Sequence, residues 1–548
     1  MIILTVLTIL GVIFQGVAMF RSGWLYNYGV GYFGPLARDG VWHEALAGQL
    51  NKSIPPVNPG LAGQVLTNYH YFFDILVAKI SQFTFFSPQF LIYRLFPVIF
   101  SILLGIGTYK LANILFKDKK TGLWAVFFAY FASSFGWIVS LAKHQPLAGE
   151  SAFWANQPVS MNLNPPYAIS LVIIIFSVIL LDLYLKKPNF LKGFILSIAI
   201  GSLVGFKAYA GAICLGALFV LTLKKIFFDK NFSLLPVFIF SASVFTIIYL
   251  SISKGAAGLV GFQPLWLIDT MIDAGDRVGI PNFTARRFAY LGGQKWLHFG
   301  LIEIIGLSIF FIGNLGTRIV GLWGFSKKFF KEDLHLFIFL VMGVSIIPTL
   351  LFVQKGNPWN IIQFFYYFLY FAGLYAANSI KKFPVFLMVA IVLITPISSI
   401  ATFRSWLYPN PPAYLSGMEY TALKYLSTQA DGTVLKHPFD RDMRGKFKDP
   451  YPLSVYADNS YVSAYSGKSV YIEDVEQQII LNTDYETRVK NADRFFVEKD
   501  LKWSSKFLKD NDIRYVYLPK IYQLPMAEEE YPIKKIFENN AVNIYKVQ

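Results

Sequence analysis

Long apolar runs separated by lysine clusters constrain this chain more than any other feature of its sequence. A bilayer core about 30 Å thick requires roughly 20 apolar residues in a helix. Such runs cover about 2–20, 90–116, 122–142, 167–186, 233–253, 299–323, 334–353, 360–379 and 383–402. Hydrophobic residues make up 55% of the chain and charged residues 15%, a balance too apolar for one soluble domain. The sequence therefore predicts a polytopic α-helical membrane protein with some soluble mass attached.

The lysine clusters set the predicted topology, because basic loops stay on the cytoplasmic side. The clusters are Lys117–Lys120, Lys186–Lys192, Lys224–Lys230, Lys327–Lys331 and Lys381–Lys382. If all are cytoplasmic, residues 193–223 form two short spans with a turn near Lys207, and the apolar segment 71–86 lies in the membrane interface. This gives about eleven crossings of the plasma membrane, with a cytoplasmic N-terminus and an outer C-terminus. The net charge of +16 then reflects topology and not nucleic-acid binding.

Three predicted outer loops are long, and the chain ends in a polar segment. The loops, 21–89, 143–166 and 253–298, belong to a predicted membrane domain of residues 1–402. The proline-rich stretch Pro409–Pro412 predicts a linker. Residues 403–548 carry helical patterns near 416–428, 473–497 and 500–511, and strand-like alternation at 513–517 and 543–547. They predict a small extracytoplasmic α/β domain.

The first outer loop holds the first group of candidate site residues. Asp39 and His43 are four residues apart, so both lie on one face of a helix. Such a pair can bind a divalent metal or act as a base with its orienting partner. Glu44 follows His43, and Asn68 and His70 lie further along the loop. The same spacing also fits an Asp39 that only caps an interfacial helix and a His43 in the headgroup layer.

Two further candidate groups are basic or amide side chains. Lys207 lies deep in an apolar hairpin, where a lysine either meets an anion such as a phosphate or extends to the interface. Asn360 and Gln363 lie one turn apart at an outer helix start, which suits an anion or a sugar hydroxyl, or else capping in an aromatic belt. Arg286 and Arg287 suggest phosphate recognition, or only the ordinary charge of an exposed loop.

These features together resemble the GT-C superfamily of polyprenyl-phosphate-dependent glycosyltransferases, which includes protein mannosyltransferases and aminoarabinose transferases. The shared pattern is an N-terminal span, a long first outer loop with an early acidic residue, an interfacial helix, about eleven spans and an outer α/β domain. The resemblance implies that Asp39 matches the family's first-loop aspartate and that Lys207, with Tyr209 nearby, matches a ligand of the lipid phosphate. Asp39 is followed by Gly40, where many members have a second acid. The W-W-D signature of oligosaccharyltransferases is absent from this sequence, which argues against that branch.

The resemblance implies an inverting transfer of a hexosyl or pentosyl unit from a polyprenyl-phosphate donor to a protein, lipid or glycan acceptor on the outer membrane face. Asp39 would be the base, with His43 and Glu44 as further catalytic candidates. The expected donor-binding residues are Lys207, Tyr209, Arg286, Arg287, Asn360, Gln363, Asn68 and His70. A divalent metal, if one is used, would be bound by Asp39 and His43. The competing functions are a transporter or flippase for a lipid-linked sugar and a catalytically silent membrane scaffold, although transporters usually carry repeats and we find none in the sequence.

Overall fold

Apolar helices dominate the computed structural model, which describes residues 2–147, 150–153, 157–254, 260–324, 326–407 and 410–548. Within these residues, eight helices are long and apolar enough to cross a membrane. They are Ile2–Arg21, Pro88–Phe116, Pro165–Lys186, Ala208–Phe227, Leu234–Ile252, Trp296–Gly324, Asp333–Leu351 and Val385–Trp406. The chain is therefore a multi-pass membrane protein.

The number of crossings depends on three further helical segments. Lys119–Phe131 and Gly136–Ala142 are separated by a 48° bend and would add one span if they cross together. Phe190–Phe206 and Phe365–Ile380 have 17 and 16 residues, so they are shorter than the eight long helices. The predicted count of about eleven includes all three segments and stays a prediction.

The hairpin predicted around Lys207 corresponds to two helices, Phe190–Phe206 and Ala208–Phe227, with one extended residue between them. That residue is Lys207, at φ −154° and ψ 110°. The helices cross closely, because a Cβ atom on Gly211 would lie 2.8 Å from the backbone nitrogen of Val204. Only glycine allows this approach.

The chain divides into two compact units. The first comprises Met1–Val17, Pro97–Ser251 and Ala257–Ser405, and the second comprises Ala18–Phe96, Ile252–Ala256 and Trp406–Gln548. The sequence-based division at 402/403 placed the loop 21–89 with the membrane-spanning residues. In the structure this loop belongs to the same unit as the C-terminal residues, because strand Gly29–Tyr32 pairs with strand Ala413–Ser416. Some residues of the predicted linker and outer loops, namely 148–149, 154–156, 255–259 and Pro409, lie outside the described residues.

Ten strands occur in the described residues. They are β1 (Trp24–Tyr26), β2 (Gly29–Tyr32), β3 (Val260–Phe262), β4 (Phe352–Gln354), β5 (Ala413–Ser416), β6 (Thr433–Lys436), β7 (Tyr451–Pro452), β8 (Ile513–Pro519), β9 (Ile533–Glu538) and β10 (Val542–Val547). In the first unit, β3 and β4 form an antiparallel pair. In the second unit, one sheet has the order β1-β2-β5-β7 and the other has the order β6-β8-β10-β9.

In the first unit, shorter helices accompany the long apolar ones. They are Glu150–Phe153, Gln157–Leu163, Trp266–Asp273 and Phe283–Gly292, with 3₁₀ segments at Gly316–Gly324, Lys327–Lys331 and Pro358–Phe364. The helix Phe365–Ile380 is buried at every position except Phe368. Its aromatic and small residues therefore pack against protein along almost its whole length, so this helix forms the centre of the unit.

In the second unit, helices pack with the two sheets. They are Asp39–Leu50, Phe72–Phe83, Gly417–Thr428, Leu453–Tyr456, Tyr461–Ser466, Val475–Leu481, Glu486–Val497 and Leu501–Asp510. Buried side chains from β6, β8 and the last two of these helices form one apolar core, which includes Leu435, Phe495, Phe507 and Val516. The stretch 473–497, predicted as one helical region, is two helices separated at Asn482, which has a left-handed φ of 56°. The segment predicted as interfacial is the helix Phe72–Phe83, whose 12 residues are too few for a span.

We expect Gly211→Ala to destabilise the protein. Overpacking at a close contact typically costs about 1–3 kcal/mol, which exceeds the roughly 1 kcal/mol that alanine gains over glycine within a helix. Gly216→Ala is the matched control on the same helix, because its nearest contact would be an ordinary 3.7 Å from Val344. Thermal unfolding in detergent should show a lower midpoint for Gly211→Ala and an equal or higher one for Gly216→Ala. Equal effects of the two substitutions would contradict the close crossing.

Candidate functional site

In the first unit, polar side chains from separate segments converge at the helix break. The Lys207 side chain is only 4% exposed, and its Nζ lies 3.4 Å from Asn164 Oδ1 and 5.2 Å from the centre of the Tyr209 ring. Asn164 Nδ2 donates to Gln363 Oε1 at 3.5 Å, and Gln363 Nε2 donates to Asn360 Oδ1 at 3.3 Å. We call these five residues the Lys207 cluster. It joins Lys207, Tyr209, Asn360 and Gln363, which the sequence presented as separate candidates.

Local structure fixes each amide in this cluster. Asn164 caps the helix Pro165–Lys186, because its Oδ1 accepts from the backbone N–H of Tyr167, and prolines occupy the first helical positions. Asn360 and Gln363 lie on the 3₁₀ helix Pro358–Phe364. The cluster is therefore built on helix ends, where backbone and side-chain polar groups are available together.

A second contact holds Tyr209 beside Lys207. The Tyr209 hydroxyl donates to Gln354 Oε1 at 2.6 Å, and its ring lies 4.3 Å from that of Phe364. Gln354 is the last residue of β4 and pairs with Val260 of β3. The Lys207 ammonium therefore has an amide oxygen and an aromatic ring among its neighbours, and both interact favourably with a cation.

The two arginines expected at a phosphate lie at a different cavity of the first unit. This cavity has a volume of about 680 Å³, and its lining includes Trp266, Asp269, Asp273, Thr284, Arg287 and Phe288. Arg287 forms ion pairs with Asp269 at 3.1 Å and with Glu303. Arg286 is exposed on the same helix. Since two carboxylates already neutralise Arg287 and Asp273 adds a third, the cavity has a negative balance and is poorly suited to a phosphate.

In the second unit, His43 pairs with a carboxylate that the sequence did not suggest. His43 Nδ1 lies 2.7 Å from Asp74 Oδ1, and both side chains are buried between helices Asp39–Leu50 and Phe72–Phe83. Burial raises the pKa of Asp74, and the histidine beside it acts in the opposite direction. The sequence predicts Asp39 as the partner of His43. In the structure, the Nδ1 atom of His43 contacts Asp74 instead.

The carboxylate of Glu44 is held by hydrogen bonds and is not available as a base. Its carboxylate accepts hydrogen bonds from Tyr93 and Gln89, both at 2.7 Å, and from Tyr32 at 3.0 Å. The Tyr32 hydroxyl also contacts that of Tyr465, in the C-terminal part of the same unit. Both oxygens of the buried Glu44 are therefore occupied, and Tyr32, one of its partners, connects the first loop with the C-terminal residues.

Asn68 and His70 are likewise engaged with their surroundings. Asn68 adopts a left-handed φ of 60°, donates to the carbonyl of Leu481 at 2.9 Å and accepts from the backbone N–H of Lys254 at 2.9 Å. The His70 ring stacks on Tyr69 at 5.0 Å. Asn68 therefore joins three chain segments of the second unit, a role that explains its conformation without a ligand.

Asp39, by contrast, presents an exposed carboxylate in the first turn of its helix. The residue at the N-cap position is Arg38, so the alternative in which Asp39 serves only as the cap does not describe this helix. Burial raises the pKa of the Tyr69 hydroxyl well above its ordinary value, and the carboxylates of Asp74, Asp39 and Asp474 all act in the same direction. Asp39 thus lies in an acidic and aromatic environment.

Comparisons with known proteins bear on the fold of the chain. No protein-family model matches the sequence, and no curated protein matches it. Two similar solved structures are the oligosaccharyltransferase AglB from Archaeoglobus fulgidus in complex with an inhibitory peptide and a dolichol-phosphate, and the oligosaccharyltransferase from Archaeoglobus fulgidus in complex with Zn and sulfate. Each has a TM-score of 0.50 and 12% sequence identity, and the alignments cover 94% of this chain and 69% and 68% of those chains. This chain has the GT-C fold. The resemblance found in the sequence is confirmed at the level of fold.

The sequence predicts that a divalent metal, if one is used, is bound by Asp39 and His43. In the part of this chain that the structure describes, no three His, Cys, Asp or Glu side chains are grouped so that they could hold a metal ion. His43, one of the two predicted ligands, has its Nδ1 atom on Asp74. The described residues therefore do not fit a metal site.

Several residues at these sites were absent from the sequence-based set. Asn164 precedes two prolines, and this sequence predicts the start of a helix but not a contact with Lys207. Gln354 and Asp74 carried no local signal, because their partners lie on other segments. The same holds for Asp474, which acts on Tyr69 together with Asp39 although it comes from the C-terminal part of the unit.

Two consecutive carboxylates in the second unit are buried. Glu473 accepts from the backbone N–H of Ser463 at 3.0 Å, and burial raises its pKa to about 8 although Lys436 acts in the opposite direction. Burial also raises the pKa of Asp474 to about 7, again against a nearby cation, Arg38. Both carboxylates therefore favour protonation in the folded protein more than in the unfolded chain.

We expect stability to fall as the pH rises through the window set by Glu473. Its pKa is 4.5 in the unfolded chain and about 8 when folded, so its contribution is complete below pH 4.5 and lost by about pH 8. Within that window, each pH unit removes up to about 1.4 kcal/mol from the free energy of unfolding. Glu473→Gln should flatten the decline of the unfolding midpoint between pH 5 and pH 8. Glu498→Gln, at an exposed carboxylate, is the control, and its unfolding midpoint should change with pH as that of the wild type does. If the midpoint of Glu473→Gln also declines as in the wild type, Glu473 is not the cause of the decline.

Proposed function

We propose that this protein is a glycosyltransferase that moves a sugar from a polyprenyl-phosphate donor to an acceptor on the outer face of the plasma membrane. The observation that carries the proposal is the Lys207 cluster, in which a buried ammonium group contacts an amide at a helix end that is itself hydrogen-bonded to further amides. The GT-C fold supports it, since one similar structure is an oligosaccharyltransferase bound to a dolichol-phosphate. A donor with a lipid tail is also the reason that a membrane protein would catalyse the transfer.

The proposed role of the Lys207 cluster is to stabilise the leaving phosphate. When the bond between the anomeric carbon and the phosphate oxygen breaks, its electron pair passes to that oxygen. Lys207 offsets the added negative charge, and it does so more strongly in a site shielded from water. The amide N–H groups of Asn360 and Gln363 are donors for phosphate or sugar oxygens. Arg286 and Arg287 are left out of this role, because Arg287 is already neutralised and Arg286 is exposed.

The proposed base is Asp39. An acceptor hydroxyl or amine attacks the anomeric carbon from the face opposite the phosphate, so the configuration inverts, and the acceptor proton passes to the Asp39 carboxylate. Exposure suits this role, because the base must reach an acceptor that arrives from outside. His43 and Glu44 support the loop in this scheme, the first through Asp74 and the second through its tyrosine partners.

The acceptor remains a hydroxyl or amine of a protein, lipid or glycan. The two similar structures are oligosaccharyltransferases. The W-W-D signature of that branch is absent from this sequence, which argues against an oligosaccharyltransferase. The proposed orientation keeps the N-terminus cytoplasmic and residues 403–548 outside. A flippase that uses the Lys207 cluster without a base, and a scaffold without catalysis, are the alternatives that the assays below separate from a transferase.

We expect Asp39→Asn to abolish transfer while leaving folding intact. Loss of a general base typically costs about 10²–10⁴-fold in rate. The assay incubates purified protein with a panel of polyprenyl-phosphate sugars and candidate acceptors, and mass spectrometry identifies the products. Asp442→Asn is the matched control, because Asp442 is also an exposed aspartate in the first turn of a short helix. Wild-type turnover in Asp39→Asn would remove Asp39 from the mechanism.

We expect Lys207→Met to weaken donor binding by about 10-fold or more, the effect of losing a charge-assisted contact worth about 1.5–3 kcal/mol. Methionine keeps an unbranched apolar chain, so the unfolding midpoint should change little. Lys187→Met, at an exposed lysine, serves as the control. Binding of a polyprenyl phosphate to purified protein gives the measurement. Unchanged affinity in Lys207→Met would mean that this lysine only extends toward the interface.

A further inference from the structure

The residue directly before the candidate base is held by two carboxylates from the C-terminal part of the second unit. Arg38 Nη1 lies 2.6 Å from Glu476 Oε1, and Arg38 Nη2 lies 3.9 Å from Asp474 Oδ1. The Arg38 side chain is largely buried, and the Asp474 side chain is almost completely buried. The guanidinium group thus connects the start of the helix Asp39–Leu50 with the start of the helix Val475–Leu481.

Asp474 is itself rigidly held. Its Oδ1 accepts from the backbone N–H of Gln477, and its Oδ2 accepts from the hydroxyl of Ser460 at 3.1 Å. The backbone N–H groups of Asp474 and Val475 in turn donate to the two carboxylate oxygens of Asp458. Asp474 also has a left-handed φ of 53°, which a residue other than glycine keeps only where its surroundings enforce it. Its carboxylate therefore has a fixed direction.

The N-terminus of the helix that carries Asp39 lacks the usual local support. Arg38 occupies the N-cap position, makes no side-chain capping bond and has φ −118° and ψ −70°. It separates the 3₁₀ helix Gly34–Ala37 from the helix Asp39–Leu50. A serine, threonine or aspartate cap would fix the first turn from within the helix. Here the ion pairs of Arg38 fix it from outside.

We infer that Arg38, held by Asp474 and Glu476, is a positioning residue that sets the direction of Asp39. This inference rests on the proposed function, in which Asp39 is the base. Because Asp474 is buried, it acts through Arg38 and does not touch the acceptor. The second acid that the sequence suggested near Asp39, Glu44, is bonded to tyrosines instead. The carboxylates that support the base are supplied from the C-terminal residues.

The test removes the two charges and keeps the backbone. Asparagine accepts the left-handed conformation and caps helices as well as aspartate does, so Asp474→Asn changes the charge with little effect on the fold. We expect the double variant Asp474→Asn/Glu476→Gln to lower kcat by about 10–100-fold, with KM for the donor within about two-fold, since a small misplacement of a catalytic group has an effect of this size. Arg38→Ala should behave in the same way, and Arg38→Lys should recover part of the loss.

Glu498→Gln is the matched control. It removes an ion pair of similar length, 2.7 Å to Arg494, which joins residues four apart within the C-terminal part. Its kcat should equal that of the wild type. Hydrogen exchange provides a readout without substrate: amides in the first turn after Asp39 should exchange faster in the double variant, while those of β10 should not change.

The outcomes separate this inference from the proposed function. Full transfer by Asp39→Asn would defeat the proposed function, and the inference with it. If Asp39→Asn is inactive while the double variant and Arg38→Ala keep wild-type kcat, the inference is overturned and the function stands. Faster exchange that is as large in β10 as in the first turn would also overturn it, because the carboxylates would then support the fold in general.

Discussion

An ammonium group cannot remain in an apolar bundle unless polar groups surround it, and this constraint shapes the first unit. The break between the helices Phe190–Phe206 and Ala208–Phe227 places Lys207 where other helix ends supply amides. Asn164 already serves as a cap, so its side chain is present there for reasons of local structure. The ammonium group donates a hydrogen bond to this cap, and the cap donates one to the 3₁₀ helix Pro358–Phe364. The proposed site for an anion arises from the same requirement that keeps the helices folded.

The second unit depends on a different constraint, the pairing of a strand in the first loop with one near the start of the C-terminal residues. Register pairs such as Val30 with Leu415 hold the loop against residues far away in sequence. The contact of Tyr32 with Tyr465 and the ion pairs of Arg38 then add side-chain contacts between the same two parts of the chain. The loop that carries Asp39 is therefore a structural part of this unit and not a free connection between spans.

The sequence allowed prediction of those features that have a local signal. Apolar runs and lysine clusters located the long helices, and the short lysine-flanked segment predicted the turn at Lys207. The shared pattern of spans and loops identified the GT-C fold, which the solved structures support. What could not be predicted were contacts between distant segments. His43 was paired with Asp39 because both lie on one helix face, whereas its partner is on the next helix. The arginines 286 and 287 looked like a phosphate site because the sequence does not show the carboxylates that neutralise one of them.

The pairing of β2 with β5 has a consequence for biosynthesis. The ribosome makes the first loop before most of the membrane-spanning helices, yet the strand that pairs with it comes after them. The loop must therefore wait, without its sheet partner, while the helices between are inserted. A chain interrupted anywhere before residue 413 would carry Asp39 without the strand that fixes its loop, so the proposed base would lack this support in incomplete copies.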